Sequence, residues 1–233
     1  MLNLLFAEAA LETIPKPLWS APSVVQRAKI LRKKPKEMLL DRSYHHRAML
    51  RYTDNLKRGR PDIIHFALLV ALGAPLNKEG LLQVYVHTID QRIIYVNSTI
   101  RLPRNYTRFV GLIEQLFKEG KIPMKGRPLL KVRDISLETL IHEINPSSVL
   151  AFTRKGNMNT IENALKPIID QPNPLVVIGA FPHGNFSKTT TKLINTFVSV
   201  DPEMLDTWSI TSRVIYEFEK LLMLSEKRVT TIY

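Results

Sequence analysis

The fold is decided by the stretch LVVIGAFPHG, residues 175–184. Its first part is a continuous apolar run, which is typical of a parallel strand buried on both faces. The run ends in a turn that contains Gly179 and Gly184. Glycine has no Cβ, so this turn would let a ligand approach the backbone closely, although a purely structural turn has the same composition. The spacing matches neither a P-loop nor a G-x-G-x-x-G dinucleotide motif.

Strands and helices alternate outward from this stretch. Residues 2–6 predict a buried strand, with Leu2, Leu4 and Phe6 on one face. Further strands are predicted at 81–87, 92–97 and 148–152, the first two paired through a turn at 90–91. The helices are predicted at 23–34 with Ser23 as N-cap, 41–52, 61–73, 109–120, 157–166 and 204–224. This order predicts an α/β fold with a mostly parallel sheet and ligand sites at the carboxyl ends of its strands.

Length and composition predict a cytoplasmic protein with one domain, residues 1–233. The absence of cysteine excludes disulfides, thiolate metal sites and a cysteine nucleophile, and it favours a reducing compartment. The apolar N-terminus follows no basic segment, and no run approaches the ~18 apolar residues of a membrane span, so we expect no membrane association. The adjacent His45 and His46 would point in different directions on a helix, and we expect no metal site.

Positive charge is concentrated in the first part of the chain. Residues 1–133 carry 24 basic and 10 acidic side chains, a net charge of +14, whereas residues 134–233 carry 9 and 11, a net charge of −2. Such an asymmetry indicates that the first part contacts a polyanion. A solubilising, lysine-rich surface would give the same balance, so charge alone favours nucleic acid only modestly.

Arg101, Arg104 and Arg108 are the strongest candidates for contact with RNA. Their spacings of three and four would present the guanidinium groups along one side of a helical path. Guanidinium groups bind phosphate through two hydrogen bonds and stack on bases, which suits single-stranded RNA. Tyr106 and Phe109 lie between and beside them as candidates for base stacking. The alternative is a solvated helix face, which three arginines with no acidic residue among them make less favourable.

Arg60 and Asp62 lie two residues apart at a predicted helix start. A carboxylate there can cap backbone N–H groups, accept hydrogen bonds from a guanidinium, or remove a proton. The capping interpretation is at least as favourable as a catalytic one. In either case the carboxylate would fix the position of the arginine side chain.

Five segments resemble one family, in matching order, from about residue 60 to the end of the chain. They are GRPDIIH at 59–65, APLNKEGLLQVYVHT at 74–88, the arginine stretch at 101–108, LLKV at 129–132 and VVIGAFPHG at 176–184. The chain is similar there to the ribosome-biogenesis pseudouridine-N1-methyltransferases, which belong to the SPOUT (α/β-knot) class of S-adenosylmethionine-dependent RNA methyltransferases.

The resemblance implies an enzyme that methylates N1 of a pseudouridine in small-subunit ribosomal RNA with S-adenosylmethionine as cofactor. It also implies a trefoil-knotted C-terminal region, a homodimer and, as further partners, ribosomal assembly proteins. Residues 1–133 would then face the RNA, and residues 134–233 would hold the cofactor and the dimer contact. The apolar stripe of the last helix agrees with that contact.

The resemblance also assigns residues to the site. Arg60, Arg101, Arg104 and Arg108 match the positions that hold RNA, and Asp62 the position that stabilises an arginine, so Asp62 and Arg60 are the catalytic candidates. The chain departs from the family where Met204-Leu205-Asp206-Thr207 replaces a Pro-Leu-Ser-Ala type of stretch. The cofactor positions are Thr153, Gly179, Gly184, Val200, Asp201, Pro202, Glu203, Met204 and Leu205.

Two other functions compete with this interpretation. One is a ribosome-assembly factor that binds RNA without catalysis, for which we would expect the arginines to be kept and the cofactor pocket to be filled. The presence of both glycines favours the enzyme. A DNA-binding module is disfavoured because no helix-turn-helix, zinc or ribbon signature is present.

Overall fold

The computed structural model describes residues 1–230 of the chain, and one eight-stranded sheet forms its centre. The strand order is β4-β5-β3-β2-β1-β7-β6-β8. The strands are β1 (Leu2–Ala9), β2 (Leu82–Thr88), β3 (Ile93–Val96), β4 (Lys121–Ile122), β5 (Leu130–Arg133), β6 (Val149–Met158), β7 (Leu175–Gly179) and β8 (Thr196–Ser199).

The parallel part of the sheet contains β7, as its sequence predicts. Strands β2, β1, β7, β6 and β8 pair in parallel, so four of the seven strand pairs are parallel. The other three pairs, β2 with β3, β3 with β5 and β5 with β4, are antiparallel. The prediction of a mostly parallel sheet is confirmed. Residues 118–133, which the sequence indicates as a loop, contain the antiparallel strands β4 and β5.

Helices cover the sheet and connect its strands. The helices are α1 (Pro22–Leu31), α2 (Arg42–Met49), α3 (Pro61–Gly73), α4 (Pro75–Lys78), α5 (Tyr106–Glu119), α6 (Leu137–Ile144), α7 (Ile161–Leu165), α8 (Lys188–Thr191), α9 (Thr207–Leu221) and α10 (Leu224–Thr230). Single 3-10 turns occur at Lys16–Leu18, Pro35–Glu37, Asn55–Lys57 and Lys166–Ile168. Within residues 1–230 we find no helix with the length and apolar character that crossing a membrane requires.

Two sequence predictions about helix starts are wrong for reasons that the neighbouring residues explain. Ser23 does not cap α1, because Pro22 already occupies its first turn and Ala21 is the N-cap. Helix α7 starts four residues later than predicted, at Ile161, because residues 157 and 158 still belong to β6. Proline has no N–H to satisfy and a φ suited to a helix start, which explains the shift at α1.

The sheet buries a core on each face. Leu2, Leu4 and Phe6 of β1 pack in the larger cluster, with α3, α5 and α9. Leu5 and Ala7 of the same strand pack in a second cluster, with α6. All eight residues of β1 are buried, which agrees with its central position between β2 and β7.

Strands β6 and β8 approach closely at Gly156. Val198 pairs with both Phe152 and Asn157, so the intervening residues of β6 bulge away from the sheet. A Cβ on Gly156 would lie 2.4 Å from the backbone nitrogen of Val198. Only glycine therefore allows this pairing, which places the ends of β6 and β8 side by side.

The apolar stripe of α9 packs within the chain. Ile215 and Phe218 are each 2% exposed, and α9 packs mainly against α3. The buried residues of this stripe therefore do not supply the dimer contact with which the stripe agrees in the sequence, and the homodimer stays a prediction. What stays exposed between α3 and α9 is Phe66, whose ring lies 5.4 Å from that of Trp208.

Candidate functional site

A cavity of about 320 Å³ opens at the carboxyl ends of β6, β7 and β8. Ligands of α/β proteins bind at this end of the strands. Of the nine cofactor candidates, Pro202 alone does not line the cavity. The lining candidates are Thr153, Gly179, Gly184, Val200, Asp201, Glu203, Met204 and Leu205.

The two glycines of the turn serve different purposes. A Cβ on Gly179 would lie 2.9 Å from the ring of Phe181, so Gly179 allows the turn to pack on itself. Gly184 has a φ of +102°, a conformation that side chains disfavour, and open space where its Cβ would be. Gly184 therefore gives a ligand access to the backbone, whereas Gly179 has a packing role.

Hydrogen bonds hold the segment that precedes α9 in place. Ser199 Oγ donates to the carbonyl of Asp201 at 3.1 Å, and Asp201 Oδ1 accepts from the N–H of Glu203 at 2.9 Å. Thr207 Oγ1 donates to the carbonyl of Gly179 at 2.8 Å, which ties α9 to β7. These bonds order a run of backbone groups along the cavity. Met204 is 59% exposed, so its departure from the family pattern alters the cavity rim and not the core.

Several cavity residues were not predicted from the sequence. Some of them come from the ends of β6 and β8, of which β8 was not recognised in the sequence. Arg154 and His183 add basic or titratable groups to the rim. The apolar lining that was missed comprises Phe152, Ile178, Val198 and Ile210. The buried β7 run gave a signal for Ile178, but short β8 gave none.

A second cavity of about 690 Å³ adjoins the first. The two share the residues His183, Gly184 and Asn185. The second cavity also borders residues 54–58, which lead directly to Arg60. A chain segment from the basic part thus meets the glycine turn here.

Arg60 and Asp62 form a two-bond ion pair at the start of α3. Arg60 Nε donates to Asp62 Oδ1 at 2.8 Å, and Nη2 donates to Oδ2 at 2.7 Å. This hydrogen bonding raises the pKa of the Arg60 guanidinium, and the negative charge of Asp206 adds to the rise. Arg60 is therefore within electrostatic reach of the segment before α9, although neither Arg60 nor Asp62 lines either cavity.

Arg101, Arg104 and Arg108 are exposed, and within residues 1–230 their guanidinium groups form no ion pair or hydrogen bond. The loop that carries them is fixed to α3, because the ring nitrogen Nε2 of His65 lies 2.7 Å from the carbonyl oxygen of Pro103. Such unpaired guanidinium groups are available to phosphate.

The neighbouring aromatic residues, predicted as candidates for base stacking, are instead engaged within the protein. Phe109 is fully buried and stacks on His65, with 4.3 Å between ring centroids. Tyr106 is half-buried, and its hydroxyl donates to Asp41 Oδ2. Burial and this hydrogen bond raise the pKa of Tyr106. Both rings lie on the inner face of α5, where they pack against the core.

Comparison with known proteins identifies the family. The model of the EMG1/NEP1 methyltransferase family matches residues 4–219. The chain belongs to the EMG1/NEP1 methyltransferase family. Two relatives are named ribosomal RNA small subunit methyltransferase Nep1. The one from Thermococcus kodakarensis is 43% identical, over 95% of this chain and 99% of that protein. The one from Staphylothermus marinus is 42% identical, over 94% of this chain and 96% of that protein.

A solved EMG1/NEP1 structure has the same fold. The crystal structure of Archaeoglobus fulgidus Nep1 bound to S-adenosylhomocysteine matches with a TM-score of 0.85 and 38% sequence identity, and the match covers 95% of this chain and 98% of that one. The family and the α/β fold class predicted from the sequence are confirmed. The trefoil knot stays a prediction.

Proposed function

We propose that the protein methylates N1 of a pseudouridine in small-subunit ribosomal RNA, with S-adenosylmethionine as methyl donor, and so acts in ribosome biogenesis. One observation carries the proposal. The cavity at the carboxyl ends of β6, β7 and β8 is lined by eight of the nine candidate cofactor residues, in a fold whose solved relative binds S-adenosylhomocysteine. The names of the relatives support the ribosomal substrate.

The residues of the cavity fit the cofactor. Its volume of about 320 Å³ suits a small ligand, and its lining combines apolar side chains with ordered backbone groups. Backbone amides and carbonyls near Asp201 can recognise an adenine edge whatever side chains surround them. Gly184 leaves room for an approaching ligand. The bound cofactor would supply a methyl group on a positively charged sulfur, and Thr153, Val200 and Leu205 would help to orient it.

The residues of the chain must align the target nitrogen with the methyl group, stabilise the charge that develops there and assist removal of its proton. N1 must lose its proton before or as it forms the bond to the methyl carbon and the carbon–sulfur bond of the donor breaks, and loss of that proton places negative charge on the uracil ring. We assign stabilisation of this charge to Arg60. Asp62 would orient Arg60, because both of its oxygens accept from that guanidinium. Direct removal of the N1 proton by Asp62 is the alternative role.

Recognition of the RNA would fall to the exposed arginines. Arg101, Arg104 and Arg108 lie on a loop and helix start that α3 holds in place, with their guanidinium groups open to solvent. A target base must leave its stack to reach the cofactor, and phosphate contacts on both sides of it would stabilise that conformation.

We propose further that the protein acts in the cytoplasm as a homodimer and meets ribosomal assembly proteins there. The support for a dimer is the exposed ring of Phe66 on α3, which packs beside the partly buried Trp208 of α9. Exposed aromatic groups of this kind are typical of interfaces. The absence of cysteine supports a reducing compartment.

The non-catalytic alternative is not favoured, since the cofactor cavity is open and Gly184 is retained. The deciding experiment incubates two RNA oligonucleotides, identical except for uridine or pseudouridine at the target, with protein and S-adenosylmethionine. Mass spectrometry should show the gain of one methyl group on the pseudouridine strand alone. Methylation of both strands, or of neither, would overturn the proposal.

A further inference from the structure

Two segments from distant parts of the sequence meet at Glu8. One is the arginine segment, residues 57–60, which ends at Arg60. The other is the glycine loop, residues 179–187, which borders the cofactor cavity. Glu8 lies near the end of the central strand β1, between these two segments.

The backbone at Glu8 is unusual. Its φ is +53°, and the pairing of β1 with β2 shifts register between Phe6 and Ala9. Few residues other than glycine adopt this conformation, which persists only where the surroundings impose it. The buried carboxylate of Glu8 accepts a hydrogen bond from Lys57 Nζ and one from the N–H of Ser187 at 2.8 Å.

Lys57 makes the complementary contacts to the glycine loop. Its Nζ also donates to the carbonyl of Asn185 at 2.6 Å and lies 4.1 Å from the centroid of the Phe181 ring. Phe181 and Asn185 both line the cofactor cavity. Lys57, which belongs to the basic part of the chain, therefore helps to hold the glycine loop in place.

The same strand end fixes the rest of the arginine segment. Glu12 accepts from Arg58 Nη1 at 2.6 Å, and the N–H of Arg60 donates to the carbonyl of Ala10 at 3.2 Å. Lys57, Arg58 and Arg60 are therefore each held by one residue of the run 8–12. Little freedom remains for Arg60 to move independently of Lys57.

We propose that Glu8 and Lys57 are positioning residues that couple the glycine loop to Arg60, so that one buried ion pair sets the geometry of both the cofactor loop and the arginine that meets the RNA. The inference rests on the proposed function. Removing either charge leaves the other buried without its partner, and both segments would then lose a common anchor.

The test compares Glu8→Gln with Glu114→Gln. Glu114 is a matched control, because its carboxylate likewise accepts from a lysine, Lys33, and from a backbone N–H, that of Leu39 at 3.0 Å, but on α5. Calorimetry with S-adenosylhomocysteine and filter binding of a pseudouridine oligonucleotide give the two affinities without turnover. Thermal unfolding gives the stability of each variant.

Glu8→Gln should weaken both affinities by about tenfold, the effect of one lost charge-assisted hydrogen bond, whereas Glu114→Gln changes neither. In an Arg60→Ala background, Glu8→Gln should weaken RNA binding no further, because its effect passes through Arg60. If Glu8→Gln does not fold, Lys57→Met tests the same pair from its other member.

The proposal is overturned if Glu8→Gln lowers the melting temperature but leaves both affinities within twofold, or if its effect adds fully to that of Arg60→Ala. Failure of the proposed function gives a different result, in which the wild-type protein itself does not bind S-adenosylhomocysteine.

Discussion

The two oxygens of the Asp62 carboxylate accept two parallel hydrogen bonds from the guanidinium of Arg60. Such a planar pair fixes the direction of the arginine as well as its distance. The arginine is also anchored by its backbone at Ala10.

From this pairing we expect Asp62→Asn to slow methylation more than it weakens RNA binding. The amide keeps the size of the side chain, but its NH₂ group would face a donor. Single-turnover methylation should fall about 10- to 100-fold, with RNA affinity within a few-fold of wild type. If Asp62 acts through Arg60, Asp62→Asn should add little to Arg60→Ala. Full additivity would instead favour direct removal of the proton, and a normal rate would leave Asp62 with no role in the reaction.

The open space at Gly184 predicts that Gly184→Val abolishes cofactor binding, because a side chain there would occupy the path of the ligand. Gly80→Val is the matched control. Gly80 also has a positive φ, +69°, and free space around its Cβ position, but it lies outside the cavity. Both variants place a side chain at a positive φ. Calorimetry with S-adenosylhomocysteine should show lost binding for Gly184→Val alone. If the two variants bind it with equal affinity, the cofactor pocket lies elsewhere.

The unpaired arginines predict a loss of RNA affinity that depends on salt. Arg104→Ala or Arg108→Ala should weaken RNA binding by about 1–3 kcal/mol. For a phosphate contact, the slope of log K against log salt should shrink by roughly 0.7. Arg213→Ala, an exposed arginine of the acidic part, should change neither quantity. If Arg104→Ala binds RNA normally in a filter-binding salt series, the RNA must instead contact the basic residues 27–36.

The aromatic pair between α3 and α9 predicts the dimer contact. Phe66 is 49% exposed, so Phe66→Glu should leave the monomer folded while placing a charge in the interface. Light scattering at micromolar concentration should then report a monomer, and the wild type a dimer. Leu50→Glu alters a comparably exposed apolar residue at the end of α2, outside α3 and α9, and should remain dimeric. A monomeric wild type would contradict the dimer itself.

Burial predicts a pH-dependent stability at Glu12. Burial raises the pKa of this carboxyl to about 7 against the opposing charge of Arg58. Between pH 4.5 and about 7 the folded chain then binds more protons than the unfolded chain, so stability falls as pH rises through this range. Glu12→Gln removes the titration. Its free energy of unfolding, relative to wild type, should rise by about 3 kcal/mol between pH 4.5 and 7.5 in urea titrations. A constant difference would show that folding leaves the pKa of Glu12 unchanged.

The sequence was sufficient for those parts of the fold that periodicity and composition determine. The apolar run of β7, the alternation in β1 and the glycine at the end of α5 each lie where they were predicted. Strand β8 was missed because its four residues include only two apolar side chains, and its pairing depends on Gly156, some forty residues earlier.

The site shows the same division. The cofactor positions were assigned through the resemblance to the family, whose motifs follow the same order along this chain. The contact between Glu8 and Lys57 joins residues 49 positions apart, and local spacing carries no information about it. Phe109 was misassigned because its spacing suits a stacking platform and a core position equally well.

The position of β1 at the centre of the sheet has a consequence for synthesis of the chain. Its two neighbours are β2, near residue 82, and β7, near residue 175, so the first strand made is among the last to be enclosed. During translation one edge of a strand that is entirely buried in the folded protein lacks a partner that lies about 170 residues further along the chain, and such long-range pairing is slow. A newly made chain therefore exposes, until its second part emerges, the segment that the finished protein hides most completely.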